Sequence, residues 1–156
     1  MGESYLIASS ELQSSIDSKS VRLRFDSPIL LLTAQGLELT YKAWLSHKGF
    51  TLNDLQKIGH DIFKARRESL SNGLLFDESK IKRKWLLDSS ENLEFSFEHY
   101  VHLLSRLHNS KPYVLRYQRS HIRSPVDVKF LNFVGLRLNK FIQRDCNSAF
   151  KIAARK

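Results

Sequence analysis

The feature that most constrains the fold is a long apolar stripe at helical spacing in the first third of the chain. Ser27 and Pro28 form a typical helix start, because serine accepts backbone N–H bonds at the N-cap and proline suits the first helical position. From there apolar side chains recur every three or four residues as far as Gly49. Glycine readily adopts the left-handed backbone conformation that ends a helix. The sequence therefore predicts an amphipathic helix over about 28–48, with a stripe of Leu30, Ala34, Leu37, Tyr41, Trp44 and Leu45.

The same spacing, together with capping residues, predicts further helices along the rest of the chain. Thr51 and Asp54 form a capping box, and Asp77 and Ser96 are further N-cap candidates. The fold class expected is therefore an all-α bundle. Its other helices are expected at 4–17, 52–58, 61–71, 79–87, from Ser96 through Leu107, and from Ser124 and Pro125 towards the end of the chain.

The sequence also indicates the conformation of two of the segments that connect these helices. Val21, Leu23 and Phe25 alternate with polar neighbours, which indicates an extended connector or, as the second choice, a strand. Residues 109–123 contain Pro112 and have no long apolar stripe, so a structured loop is expected there.

The length of 156 residues fits a single domain over 1–156. The one cysteine, Cys146, excludes an internal disulfide and a cysteine-based zinc site. No apolar run approaches the roughly 18 residues of a membrane span, and the first residues do not resemble a signal peptide. We therefore expect a cytoplasmic protein without a membrane partner.

Positive charge is concentrated at the C-terminal end of the chain. Residues 1–110 carry 14 Lys and Arg against 14 Asp and Glu, whereas residues 111–156 carry 11 Lys and Arg against two Asp. The whole net charge of +9 therefore lies in the last 46 residues, and such a concentration attracts polyanions such as RNA. The alternative is that the basic end only promotes solubility. On the last predicted helix Arg137, Lys140 and Arg144 share one face.

Several short segments, in this order and spacing, resemble the HEPN superfamily of small prokaryotic helical proteins. The resemblance spans about 27–145. The segments that carry it are Ala34-Gln35-Gly36-Leu37-Glu38-Leu39, Lys42-Ala43, Lys48-Gly49, Ile58-Gly59-His60-Asp61-Ile62, Lys111-Pro112-Tyr113 and Leu115-Arg116-Tyr117.

The resemblance implies a four- to five-helix bundle that is commonly a homodimer and needs no metal or cofactor. Many relatives act in toxin–antitoxin, phage-defence or RNA-processing systems. Catalytic members are metal-independent endoribonucleases that use an arginine followed a few residues later by a histidine. Other members lack this pair and bind RNA or a protein partner.

Arg116 and His121 have this arginine-to-histidine spacing. Histidine can move protons during cleavage of RNA, and arginine can bind the phosphate through two N–H groups. Arg119 and Arg123 would add contacts to the RNA backbone, and Tyr117 could stack on a base. In this interpretation Arg116 and His121 are catalytic residues.

A structural role for the same arginine is the alternative. Glu38 borders the apolar stripe of the predicted helix and needs a cation or hydrogen-bond donors. Lys42 lies one turn further on, and Arg116 is the long-range candidate because it can bind both carboxylate oxygens. His60 follows Gly59 and is expected to hydrogen-bond to the backbone at a helix start. Glu38, Lys42 and His60 are thus predicted to form a structural polar core.

The sequence therefore predicts a HEPN-like helical domain that binds RNA in a bacterial toxin–antitoxin or defence system. Two other functions stay open: a metal-independent endoribonuclease, and a non-catalytic module that binds a cognate protein partner.

Overall fold

The computed structural model describes residues 2–18, 27–88, 95–109 and 126–153, and all regular structure in these ranges is helical. The predicted all-α class is confirmed. No helix in the described ranges has an apolar stretch long enough to cross a membrane. The helices, numbered in chain order, are α1 (Gly2–Asp17), α2 (Ser27–His47), α3 (Leu52–Ile58), α4 (Ile62–Ser71), α5 (Glu78–Asp88), α6 (Phe97–Asn109) and α7 (Val128–Ala153).

Local signals in the sequence set several of these helix ends. The hydroxyl of Thr51 accepts a hydrogen bond from the backbone N–H of Asp54, whose carboxylate accepts one from the backbone N–H of Thr51 in return. Asp61 caps α4 by accepting a hydrogen bond of 2.9 Å from the backbone N–H of Lys64. Gly49 has a φ of +93°, which is the left-handed conformation expected after α2.

The last helix begins later than predicted. Val126 and Asp127 are not helical, and the carboxylate of Asp127 accepts a hydrogen bond of 2.8 Å from the backbone N–H of Phe130. Asp127 therefore caps α7, and the predicted start at Ser124 and Pro125 is wrong.

Both predicted connections lie largely outside the described residues. This holds for the segment of Val21, Leu23 and Phe25 and for 110–123. Asn109, predicted as the first residue of the second connection, is instead the last residue of α6.

Helix α2 lies at the centre of the bundle and packs against α1, α3, α4, α6 and α7. Helix α7 completes the bundle by packing against α1, α5 and α6 as well. The largest fully buried side chains all come from α1, α2, α4, α6 and α7, so these five helices supply most of the core. These side chains are Tyr41, Phe130, Leu6, Leu37, Leu45, Ile62, Leu104, Leu131, Leu138, Glu38, Val101 and Val134.

A close contact of three helices surrounds Leu6. A Cβ atom added at Gly36 of α2 would lie 2.7 Å from Cγ of Leu6, and one added at Gly135 of α7 would lie 2.9 Å from Cδ1 of Leu6. Because real Cβ atoms do not approach other atoms this closely, glycine at both positions is what allows α1 to lie against α2 and α7.

Three buried polar side chains join the same three helices. The hydroxyls of Ser9 and Thr33 are 2.8 Å apart, Thr33 donates to Oδ1 of Asn132 at 3.1 Å, and Nδ2 of Asn132 donates to Ser9 at 2.9 Å. A buried polar group without a partner is costly, so this ring of hydrogen bonds disfavours any other register of α1, α2 and α7.

A buried arginine ties α4 to its neighbours on the other side of the bundle. Arg66 donates from Nε and Nη2 to the two carboxylate oxygens of Glu78 at 3.0 and 2.8 Å, and its Nη1 lies 3.5 Å from Glu98. The two-pronged pair links α4 to α5, and the third contact reaches α6.

The substitution Gly36→Ala tests the contact around Leu6. Alanine is the better helix former by about 1 kcal/mol, yet we expect a net loss of about 1–3 kcal/mol in the free energy of unfolding, because the new methyl group collides with Leu6. Urea denaturation measures the change. In a Leu6→Ala background the same substitution should cost little or become stabilising, and an unchanged cost there would show that the contact is not the cause.

Candidate functional site

The centre of the candidate site is the buried carboxylate of Glu38 in the middle of α2. Its side chain is only 2% exposed. Oε1 accepts a hydrogen bond of 2.6 Å from Nζ of Lys42, Oε2 lies 3.1 Å from Nε2 of His108, and both oxygens lie 3.2 Å from Nδ1 of His60. We call Glu38, Lys42, His60 and His108 the Glu38 cluster.

Lys42 positions the turn that carries His60. Its ammonium group donates to Glu38 and also, at 2.6 Å, to the backbone carbonyl of Gly59. Gly59 ends α3 with a φ of +69°, a conformation that glycine adopts without strain. His60 follows Gly59 directly, and Asp61 caps the next helix. Hydrogen bonds therefore fix both ends of this short turn, from Lys42 to Gly59 at one end and from Lys64 to Asp61 at the other.

His108 reaches Glu38 from the last turn of α6. Its side chain is completely buried, and its ring meets that of His60 edge to face at a centroid distance of 5.9 Å. Among the described residues, Nδ1 of His108 has no hydrogen-bond partner. The side chain of His60 is 51% exposed, so the cluster opens to solvent on the His60 side.

The surroundings keep Glu38 ionised at neutral pH. Burial alone would raise the pKa of the carboxyl, but the hydrogen bonds from His108 and Lys42, the positive charge of Lys42 and the hydrogen bond from His60 together lower the pKa to about 2. The cluster therefore holds a buried carboxylate anion with an adjacent ammonium group and two imidazoles.

The structure brings Glu38, Lys42 and His60 together, as predicted for a structural polar core. The contact expected for His60 is wrong, because its Nδ1 faces the carboxylate of Glu38 and the helix start is capped by Asp61. Arg116, the expected long-range partner of Glu38, lies outside the described residues, and within them the long-range partners are His60 and His108. Further predicted site residues also lie outside the described residues, namely Tyr117, Arg119, His121 and Arg123.

The sequence patterns did not indicate a role for His108 in this site. A signal was present, because His108 lies four residues after Leu104 and seven after Val101 and so belongs to the buried stripe of α6. A polar residue on a buried stripe needs a partner.

The predicted cationic face of α7 is present in the described part of the helix. Lys140 and Arg144 are exposed, whereas Arg137 is half-buried with its guanidinium carbon 3.5 Å from the ring centroid of Phe133. The neighbouring carboxylate of Asp145 pairs with two basic side chains at the end of α2.

Two chemistries are open to these groups. An imidazole held by a carboxylate and half exposed to solvent can transfer protons or bind a cation. An exposed row of cations on a helix can bind phosphates. The chain matches no protein-family model, no curated protein and no solved structure.

The substitution Glu38→Gln tests the electrostatics of the cluster. Because the pKa of Glu38 is lowered in the folded protein, its charge stabilises the fold above pH 5, and this contribution, about 3 kcal/mol, disappears as the pH falls towards 2. We expect the variant to be less stable by about 3 kcal/mol at pH 7 and to lose less stability than the wild type on acidification. Urea denaturation across this pH range measures both effects.

Glu11→Gln is the matched control, since Glu11 is exposed on α1. It should change the stability by less than about 0.5 kcal/mol. A Glu38→Gln variant with the same pH dependence as the wild type would contradict the assigned role of the carboxylate.

Proposed function

We propose that the protein binds RNA through the cationic face of α7, formed by Arg137, Lys140 and Arg144, together with Tyr117, Arg119 and Arg123 from the preceding segment. The observation that carries this proposal is the exposure of Lys140 and Arg144 on a helix within the part of the chain that holds the entire net charge.

The arrangement suits a polyanion better than a single small anion. Arg137 and Arg144 are seven steps of helix apart, which is about 10 Å along the axis, and Lys140 lies between them. Cations spaced in this way contact successive phosphates of one strand, and release of counterions from the nucleic acid then contributes to the affinity. Arg137 keeps a fixed position over the ring of Phe133, which lowers the entropy lost on binding.

The biological setting that we propose is a bacterial toxin–antitoxin or phage-defence system, and the protein is proposed to be a HEPN-like homodimer. This part of the proposal is supported by the sequence resemblance over 27–145. In a symmetric dimer two α7 faces would be available to one RNA molecule.

The salt dependence of RNA binding tests the proposal. We expect the affinity for single-stranded RNA to fall steeply with salt concentration, and the double variant Lys140→Ala, Arg144→Ala to bind at least about tenfold more weakly at low salt. Each lost phosphate contact should reduce the slope of log affinity against log salt by about 0.7. Fluorescence anisotropy with labelled RNA measures these quantities.

Arg67→Ala removes an exposed cation from α4 and is the matched control. It should leave the slope nearly unchanged. A flat salt dependence, or an equal loss in the control, would reject binding by this face. Copurification with an acidic protein and without nucleic acid would favour the protein-interaction module instead.

A metal-independent endoribonuclease is the second candidate, and the spacing of Arg116 and His121 favours it. The segment that carries both residues leaves α6 directly after His108 and Asn109. In this mechanism His121 takes a proton from the 2′-hydroxyl, whose oxygen attacks the phosphorus to form a 2′,3′-cyclic phosphate. The bond from phosphorus to the 5′-oxygen breaks, the leaving oxygen receives a proton from the His121 imidazolium or from water, and Arg116 stabilises the negative charge that develops on the phosphate.

Incubation of the purified protein with RNA in EDTA tests the enzyme hypothesis. We expect cleavage by the wild type and by the control His99→Ala, because His99 is exposed on α6 and remote in sequence from the motif. His121→Ala should reduce the rate by about 100-fold or more, the usual contribution of a general acid or base. The absence of cleavage, or equal cleavage by His121→Ala, would exclude this function.

A further inference from the structure

We infer that the Glu38 cluster is a binding site for a single divalent transition-metal ion of the zinc type, with Oε2 of Glu38, Nδ1 of His60 and Nε2 of His108 as ligands. This inference does not depend on RNA binding. The three side chains come from α2, from the turn before α4 and from α6, and their ligand atoms all lie within 4.8 Å of one another.

The distances fit a shared metal with little rearrangement. In a tetrahedral zinc site with bonds near 2.0–2.1 Å, neighbouring ligand atoms are about 3.4 Å apart. Oε2 of Glu38 lies 3.2 Å from Nδ1 of His60 and 3.1 Å from Nε2 of His108. The two imidazole nitrogens lie within 4.8 Å of each other, so the rings would have to approach by at most about 1.4 Å to share a metal ion.

Both imidazoles can present a lone pair in this position. In the metal-free cluster Nε2 of His108 donates to Glu38, and metal binding requires the other neutral tautomer, in which the proton lies on Nδ1 and Nε2 presents its lone pair to the metal. Lys42 donates to Oε1 of Glu38, whereas Oε2 is the oxygen shared by the two histidines. Nδ1 of His60 is equally close, at 3.2 Å, to both carboxylate oxygens, whereas Nε2 of His108 contacts Oε2, so the ammonium group of Lys42 leaves Oε2 for the metal.

The ligand set selects the class of metal. Two imidazole nitrogens and one carboxylate oxygen suit zinc and its first-row neighbours, whereas Mg²⁺ and Ca²⁺ prefer oxygen ligands throughout. Three protein ligands leave a fourth position for water, and the half-exposed His60 places that position towards solvent. This is the composition of a site at which a metal-bound water can react, rather than of a closed structural site.

Metal uptake by the full chain tests the inference. The protein is treated with EDTA, desalted, incubated with equimolar Zn²⁺ and passed through gel filtration before the metal is quantified. We expect one Zn²⁺ per chain, a visible absorption band of tetrahedral Co²⁺ when cobalt replaces zinc, and no comparable uptake of Mg²⁺ or Ca²⁺. Zn²⁺ should also raise the melting temperature, because it binds only the folded site.

His60→Ala is the decisive variant, since a half-exposed side chain can be removed without unfolding the core. We expect its affinity for Zn²⁺ to be at least about tenfold weaker and its melting temperature not to respond to Zn²⁺. His108→Ala should also lose the metal if it folds. His99→Ala and His102→Ala are matched controls, because both remove exposed histidines from α6, and they should bind Zn²⁺ as the wild type does. Wild-type uptake no higher than that of His60→Ala, or an equal loss in the controls, would overturn the metal site.

Discussion

The buried carboxylate of Glu38 is the constraint on which the arrangement of this bundle depends. Removing a charge from water costs several kcal/mol unless other groups replace the water. Here the replacement comes from Lys42 one turn away, from His60 in the turn before α4 and from His108 at the end of α6. A single side chain therefore fixes where the α3–α4 turn and the end of α6 lie relative to α2. Three nitrogen donors around one carboxylate also create a set of groups that can perform chemistry.

On the side of α2 that faces α1 and α7, the chain relies on small residues rather than charge. Gly36 and Gly135 allow both neighbouring helices to approach Leu6, and the ring formed by Ser9, Thr33 and Asn132 fixes their register. Close packing and a saturated polar ring act together, because a shift of one turn would both open a cavity and leave polar groups unpaired. The position of the neighbouring helices is thus fixed by a buried charge on one side of α2, and by close packing and neutral hydrogen bonds on the other.

The helices could be predicted from the sequence because their signals are local. The stripe from Leu30 to Leu45 and the capping box of Thr51 and Asp54 act within a few residues and appear in the structure as expected. The start of α7 was missed because Ser124 and Pro125 resemble a helix start, whereas the nearby Asp127 provides the cap. His108 and the buried Arg66 depend on partners far along the chain, which no local pattern specifies. The site was therefore predicted only as far as Glu38, Lys42 and His60, which lie within 23 consecutive residues.

The central residue of the Glu38 cluster lies in α2 and the cationic face lies on α7, and a side-chain hydrogen bond joins these two helices. Nδ2 of Asn139 donates to the hydroxyl of Thr40 at 2.6 Å, and these residues lie next to Lys140 in α7 and between Glu38 and Lys42 in α2. Because this bond joins the two helices at the level of both sites, a movement of one site relative to the other requires the bond to break. A partly buried hydrogen bond contributes about 1 kcal/mol, and the packing of α2 on α7 adds to it. The bundle therefore holds the Glu38 cluster and the exposed cations of α7 in a fixed relation, on different sides of α2.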